Sequence, residues 1–117
     1  MDIESLRDYC LRKKGVWEDF PFGDSTLVFK VGTKVFLLAG LDGSPLQFNI
    51  KLDPEHAIEL REKYESIVPG YHMNKKHWSS VIVDGNVPER IMRQMIDESY
   101  DLVLNALPKK DREAIGR

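Results

Sequence analysis

At 117 residues, 42% hydrophobic and 31% charged, the chain is long enough to bury one core and too apolar to stay disordered. Its 17 basic and 19 acidic side chains leave a formal charge of −2, which excludes a global positive field for nucleic acid, so any such binding must be local. The single cysteine excludes an internal disulfide, and no apolar run approaches bilayer length; with no secretion signal in Met1-Asp2-Ile3-Glu4, the expectation is a cytoplasmic protein that binds no membrane.

Residues 2–14 carry helical spacing: Ile3, Leu6, Tyr9 and Cys10 share a face, Asp2 is placed to cap and Gly15 ends the helix. Cys10 on that face reads as a small buried hydrophobe. Arg12, Lys13 and Lys14 follow an acidic start, an order that complements the helix dipole without calling for a ligand. Residues 16–20 have the length of an edge strand, limited by Pro21 and Gly23. In residues 26–31, Leu27, Phe29 and Val31 alternate with Val28 and Lys30, and Gly32-Thr33 turns the chain. Residues 34–39 are almost continuously apolar. After a turn containing Asp42-Gly43, Leu46, Phe48, Ile50 and Leu52 alternate with Gln47, Asn49 and Lys51, so these strands make an antiparallel meander.

Asp53-Pro54 is a helix start, with Ala57, Leu60, Arg61 and Tyr64 at helical spacing behind it and an end near Glu65. Residues 78–83 form another strand, Asp84-Gly85 a turn, and Pro88 opens a long helix whose stripe is Ile91, Met92, Met95, Ile96, Ser99, Val103 and Leu107. From Pro108 to residue 117 the chain is charged and is expected to fray. The order specifies one α+β domain over residues 1–117, an antiparallel sheet with helices packed on one face. Its expected core joins Leu27, Phe29, Phe48, Ile50 and Val81 to Leu6, Leu60, Met95 and Val103. Gln47, Asn49 and Lys51 leave the other face partly polar, as in a sheet open to water on one side.

About a dozen residues separate the second helix from the strand at Trp78, a length that points to function in so small a domain. Pro69-Gly70 fits the central positions of a type II turn. Lys75 and Lys76 supply charge for a phosphate, Asn74 and His77 hydrogen bonds, and Tyr71 or Trp78 a stacking surface. Equally, Tyr71, Met73 and Trp78 fit as core plugs, with the lysines merely solvated.

The run Pro69-Gly70-Tyr71-His72-Met73-Asn74-Lys75-Lys76-His77-Trp78, followed by Asp84-Gly85 and a helix start at Val87-Pro88, resembles the signature of the MmcQ/YjbR family of small bacterial proteins. Pro21-Phe22-Gly23, Phe29-Lys30-Val31 with Lys34-Val35-Phe36, and Ser99-Tyr100 resemble its other landmarks, so the likeness covers nearly the whole chain. The resemblance implies a two-layer sandwich similar to the CyaY (frataxin-like) proteins, a double-wing arrangement and a predicted DNA-binding role. Iron, which the frataxin-like proteins associate with an acidic first helix and adjacent strand, does not suit this chain: Asp2, Glu4 and Asp8 are interleaved with Arg7, and His72 and His77 lack further soft ligands.

No phosphate loop, nucleophile elbow or paired-carboxylate pattern is present, leaving only a spatially assembled site, such as Cys10 with a distant histidine, as a route to catalysis. Arg90, Arg93 and residues 59–63 read as solvated helix faces. The expected protein is therefore a monomer, not an enzyme, without metal or cofactor, that binds DNA or another polyanion through Tyr71, Asn74, Lys75, Lys76, His77 and Trp78. The alternative is a protein-interaction or small-ligand module. It would use the sheet face around Gln47, Asn49 and Lys51, or the aromatics Phe20, Phe22, Tyr71 and Trp78. A contiguous positive patch would mark the first reading and an apolar cleft lined by those aromatics the second.

Overall fold

The structure, a computed structural model, describes residues 1–70 and 73–116. Helix α1 (Ile3–Leu11) opens on a reciprocal cap: the Asp2 carboxylate accepts from the Ser5 amide at 2.8 Å, and the Ser5 hydroxyl accepts from the Asp2 amide at 3.0 Å. The helix stops three residues short of Lys14. Two of the basic trio dock rather than merely answering a dipole: Lys13 Nζ lies 2.5 Å from Asp97, and the Lys14 carbonyl accepts from the Tyr100 hydroxyl at 2.6 Å, while Arg12 stays exposed and pairs with Asp8.

Four strands then run antiparallel, each beside the next: β1 (Val16–Asp19), β2 (Thr26–Val31), β3 (Lys34–Gly40) and β4 (Gln47–Lys51). Helix α2 (Pro54–Lys63) follows, capped by Asp53, and leads to β5 (Ile67–Pro69) and β6 (Trp78–Ile82). β6 pairs with β4 and β5 lies outside it, giving one six-stranded sheet in the order β1-β2-β3-β4-β6-β5. The chain ends in α3 (Glu89–Ala106) and α4 (Lys109–Ile115). α3 crosses β2, β3 and β4, α1 lies against β1 and α2 against β5. The expected α+β sheet with helices on one face is thus the observed architecture.

Alternation assigns the faces. Leu27, Phe29, Phe48, Ile50 and Val81 turn to the helices and form one buried cluster with Leu6, Leu60, Met95 and Val103. Phe29 faces Leu37 whereas Lys30 faces Val35, which leaves Phe36 as the extra residue of a bulge. α3 answers this irregularity: the buried Ser99 hydroxyl donates to the Phe36 carbonyl at 2.5 Å and accepts from the Lys51 amide at 2.9 Å.

Two elements differ from expectation. β5 lies within what reads as an unstructured connection; it is three residues long and pairs Ile67 with Val81. The segment expected to fray is helix α4, whose Ile115 packs against the core. A Cβ built on Gly15, where φ is +75°, would lie 2.9 Å from the Ile115 side chain, so glycine is needed for both backbone and space.

Candidate functional site

The segment after β5 is built around two hubs. Asn74 is the first: its side-chain oxygen accepts from the Lys76 amide at 3.0 Å, and its carbonyl accepts from the amides of His77 at 3.2 Å and Trp78 at 2.9 Å. Arg61 of α2 is the second. Its Nη2 donates to the carbonyls of Lys75 at 2.8 Å and Trp78 at 2.9 Å, while Nε donates to the buried Ser79 hydroxyl at 3.1 Å. Arg61 reads in the sequence as part of a solvated face; in the fold it anchors the loop. Nothing in helical spacing distinguishes the two roles, because its partners are main-chain carbonyls more than a dozen residues away.

Gly70 is not the positive-φ residue of a type II turn. Its amide donates to the Trp78 carbonyl at 2.9 Å, and a Cβ there would lie 3.1 Å from that same oxygen, so glycine serves close approach of backbones.

Of the six candidate residues, Tyr71 lies outside the described residues, as does the neighbouring His72. Asn74, Lys75 and Lys76 are exposed, and His77 and Trp78 half-buried. Asn74 thereby shapes the loop, and the two lysines project from it. Trp78 pairs with Lys51 and alternates with buried Ser79, which places it on the open face of the sheet. The core-plug reading therefore fails for Trp78, and for Met73, which lines a groove on that open face.

This groove, of about 740 Å³, runs over β4, β6 and the ends of β2 and β3. Phe22, Leu38, Val68, Met73 and Ile82 give its apolar walls. Thr26, Gln47, Asn49 and Ser80 supply hydroxyls and amides, and Gly40 adds bare backbone; none of these ten residues is charged. Ser80 donates a hydrogen bond to the Asn49 side-chain oxygen. Of the four aromatics proposed for a cleft, Phe22, 69% exposed, lines it; Phe20 and Trp78 do not. Lys30, which shares the open face, is committed elsewhere, 3.3 Å from Asp19 and 4.8 Å above the Trp17 ring.

Other reactive groups have structural surroundings. Burial pushes the Cys10 thiol to about 12, and the side chain is fully enclosed, consistent with a small hydrophobe and unsuited to a nucleophile. The Asp84 carboxyl is held low by hydrogen bonds from the Ser66 hydroxyl, 2.7 Å to each oxygen, and from the Asn86 amide. Among the described residues no three His, Cys, Asp or Glu side chains gather closely enough to hold a metal ion, and no helix is long and apolar enough to cross a membrane.

The YjbR family model matches residues 11–102. The chain is 42% identical over 97 residues to the uncharacterized protein YbdF of Escherichia coli, covering 82% of this chain and 79% of that protein. It is 30% identical over 115 residues to the uncharacterized protein YjbR of Escherichia coli, covering 98% of each. A crystal structure of a Deinococcus radiodurans protein with a DUF419 domain superposes with a TM-score of 0.93 at 40% identity, covering 98% of this chain and 88% of that one. A Pseudomonas syringae crystal structure superposes with a TM-score of 0.74 at 27% identity, covering 88% and 99% respectively.

Proposed function

The chain belongs to the YjbR family, and on the geometry of its open sheet face we propose that it is a non-enzymatic binding module whose ligand lies in the groove over Leu38, Asn49 and Ser80. The observation that carries this reading is the groove itself: about 740 Å³, apolar walls and a few convergent hydroxyls and amides, as small-molecule sites have. The absence of charge among its described lining residues argues against phosphate as the group recognised inside it, since phosphate sites draw on cationic or oriented backbone donors.

A second reading, DNA or another polyanion at the loop, is favoured by a separate observation: Lys75 and Lys76 are both exposed beside the half-exposed Trp78. With the cations confined to one loop, roughly 2 to 4 phosphate contacts are accessible, so affinity would be weak at physiological salt with a log-log slope of about −2 to −4.

Two-dimensional amide NMR separates the readings. Uncharged aromatic fragments should shift the resonances of Leu38, Asn49, Val68, Ser80 and Ile82, whereas short single- or double-stranded DNA at low salt should shift those of residues 74–78. Fragments that leave the groove resonances unmoved, together with DNA that moves the loop, would reverse the order of the two readings.

A further inference from the structure

Gly40 ends β3 with Thr26 paired on one side and Gln47 on the other. Glycine in a paired strand weakens it by roughly 0.5 to 1 kcal/mol relative to alanine and commonly marks a bulge or close approach by another group. Neither backbone nor packing asks for glycine here. Its φ lies outside the left-handed range, and a Cβ built on it meets no heavy atom within 4 Å. At Gly15, Gly32 and Gly70, by contrast, a Cβ would come within 2.9 to 3.1 Å of a neighbour. Gly40 follows Ala39, which faces the helices, so its missing side chain would point into the groove.

The polar floor adds direction. Because Ser80 donates to the Asn49 side-chain oxygen, the two N–H donors of that amide are left for a groove occupant. The Asn49 donors among apolar walls, with no charge among the described lining residues, suit an acceptor that carries no net charge: a carbonyl can accept from them, and a carboxylate would lose its hydration without a cation to replace it.

Resting on the groove reading above, we infer that the ligand is an uncharged, largely apolar molecule carrying a carbonyl group, its body seated over Gly40 and its oxygen accepting from Asn49 Nδ2. Gly40 thus sets how deep the body sits, and Asn49 which end of it is recognised.

The test uses three naphthalene probes of nearly equal size: acetylnaphthalene, which carries the carbonyl, ethylnaphthalene, which lacks it, and naphthoate, which is charged. Affinities come from amide NMR titration of the full chain. Acetylnaphthalene should bind best of the three. Asn49→Ala should weaken it about three- to tenfold, the worth of one neutral hydrogen bond, and leave ethylnaphthalene within about twofold. Gly40→Val should reduce binding of both uncharged probes tenfold or more while the melting temperature holds or rises, a combination that a merely structural glycine would not give. Ethylnaphthalene binding as tightly as acetylnaphthalene, or an Asn49→Ala variant indifferent to the carbonyl, would overturn the inference while the groove reading stands. A Gly40→Val variant that binds as the parent does would overturn the seat over Gly40. If no probe shifts a groove resonance, the groove reading itself falls and takes the inference with it.

Discussion

The two faces of one sheet are made by alternate residues of the same strands, yet they end in different physical states. On the helix-covered face Phe29, Phe48, Ile50 and Val81 are sealed, and the one irregularity, the bulge at Phe36, is met by a buried serine that satisfies both neighbouring backbone groups. On the open face Leu38, Asn49, Val68 and Ser80 stay half-exposed, and of that face's strand residues Val28 alone is fully enclosed. One face is therefore finished by the chain itself, whereas the other has apolar surface and hydrogen-bonding groups that no described residue covers. Where a fold has spent its helices on one side, the unfinished side is where recognition belongs.

The comparison breaks first at large side chains. Phe48→Ala should destabilise by roughly 3 to 5 kcal/mol in urea unfolding, since a void under α3 cannot collapse, whereas Leu38→Ala on the other face should cost about 1 kcal/mol. Equal losses would mean that the open face is packed after all. Next comes Ser99→Ala, expected to cost about 1 to 3 kcal/mol by orphaning the Phe36 carbonyl and Lys51 amide, against under about 0.5 kcal/mol for Thr26→Ala in the groove.

Alkaline titration sharpens the contrast without changing packing. Burial raises the Cys10 thiol to about 12 from 9.0, and burial with the Asp97 hydrogen bond raises the Tyr9 hydroxyl to about 12 from 10.0. Both are neutral in the fold, so their contribution is complete below the unfolded values and is lost as pH rises from about 9 towards 12. Melting temperature should fall over that range, and Cys10→Ala should make the fall shallower. The smallest effect belongs to the loop. Lys75→Ala with Lys76→Ala should leave stability within about 0.5 kcal/mol, yet flatten the salt slope of any DNA binding by about 2. An unchanged slope would remove the loop from consideration.

The covered face was legible because each of its residues obeys a local period: Leu27, Phe29, Phe48 and Ile50 announce strands, and Met95 and Val103 a helix, whatever the other parts do. β5 was not, because a three-residue strand ending in Pro69 offers no period, although the apolar pair Ile67-Val68 after Tyr64 was a faint signal. In α4 the charged run Lys109 to Glu113 concealed the single residue, Ile115, that holds it down; Pro108 before it and Gly116 after it were the available marks. The candidate loop was found from its composition, but its architecture was not: Arg61 and Asn74 act through carbonyls and amides that sequence does not label. The groove is less legible still, since Leu38, Asn49, Val68 and Ser80 come from four strands and become neighbours only once β6 has inserted beside β4.

The margins of the sheet carry a last consequence. β5 offers three residues and ends at Pro69, which has no N–H to donate, while β1 offers four and carries Glu18 and Asp19. An incoming strand would find a ladder that stops almost at once on one side and, on the other, a four-residue edge whose Glu18 and Asp19 are paired with Arg7 and Lys30. Edges this short leave little ladder for a second copy to extend, which lowers the hazard of exposing Trp17, Phe20 and Phe22 beside them.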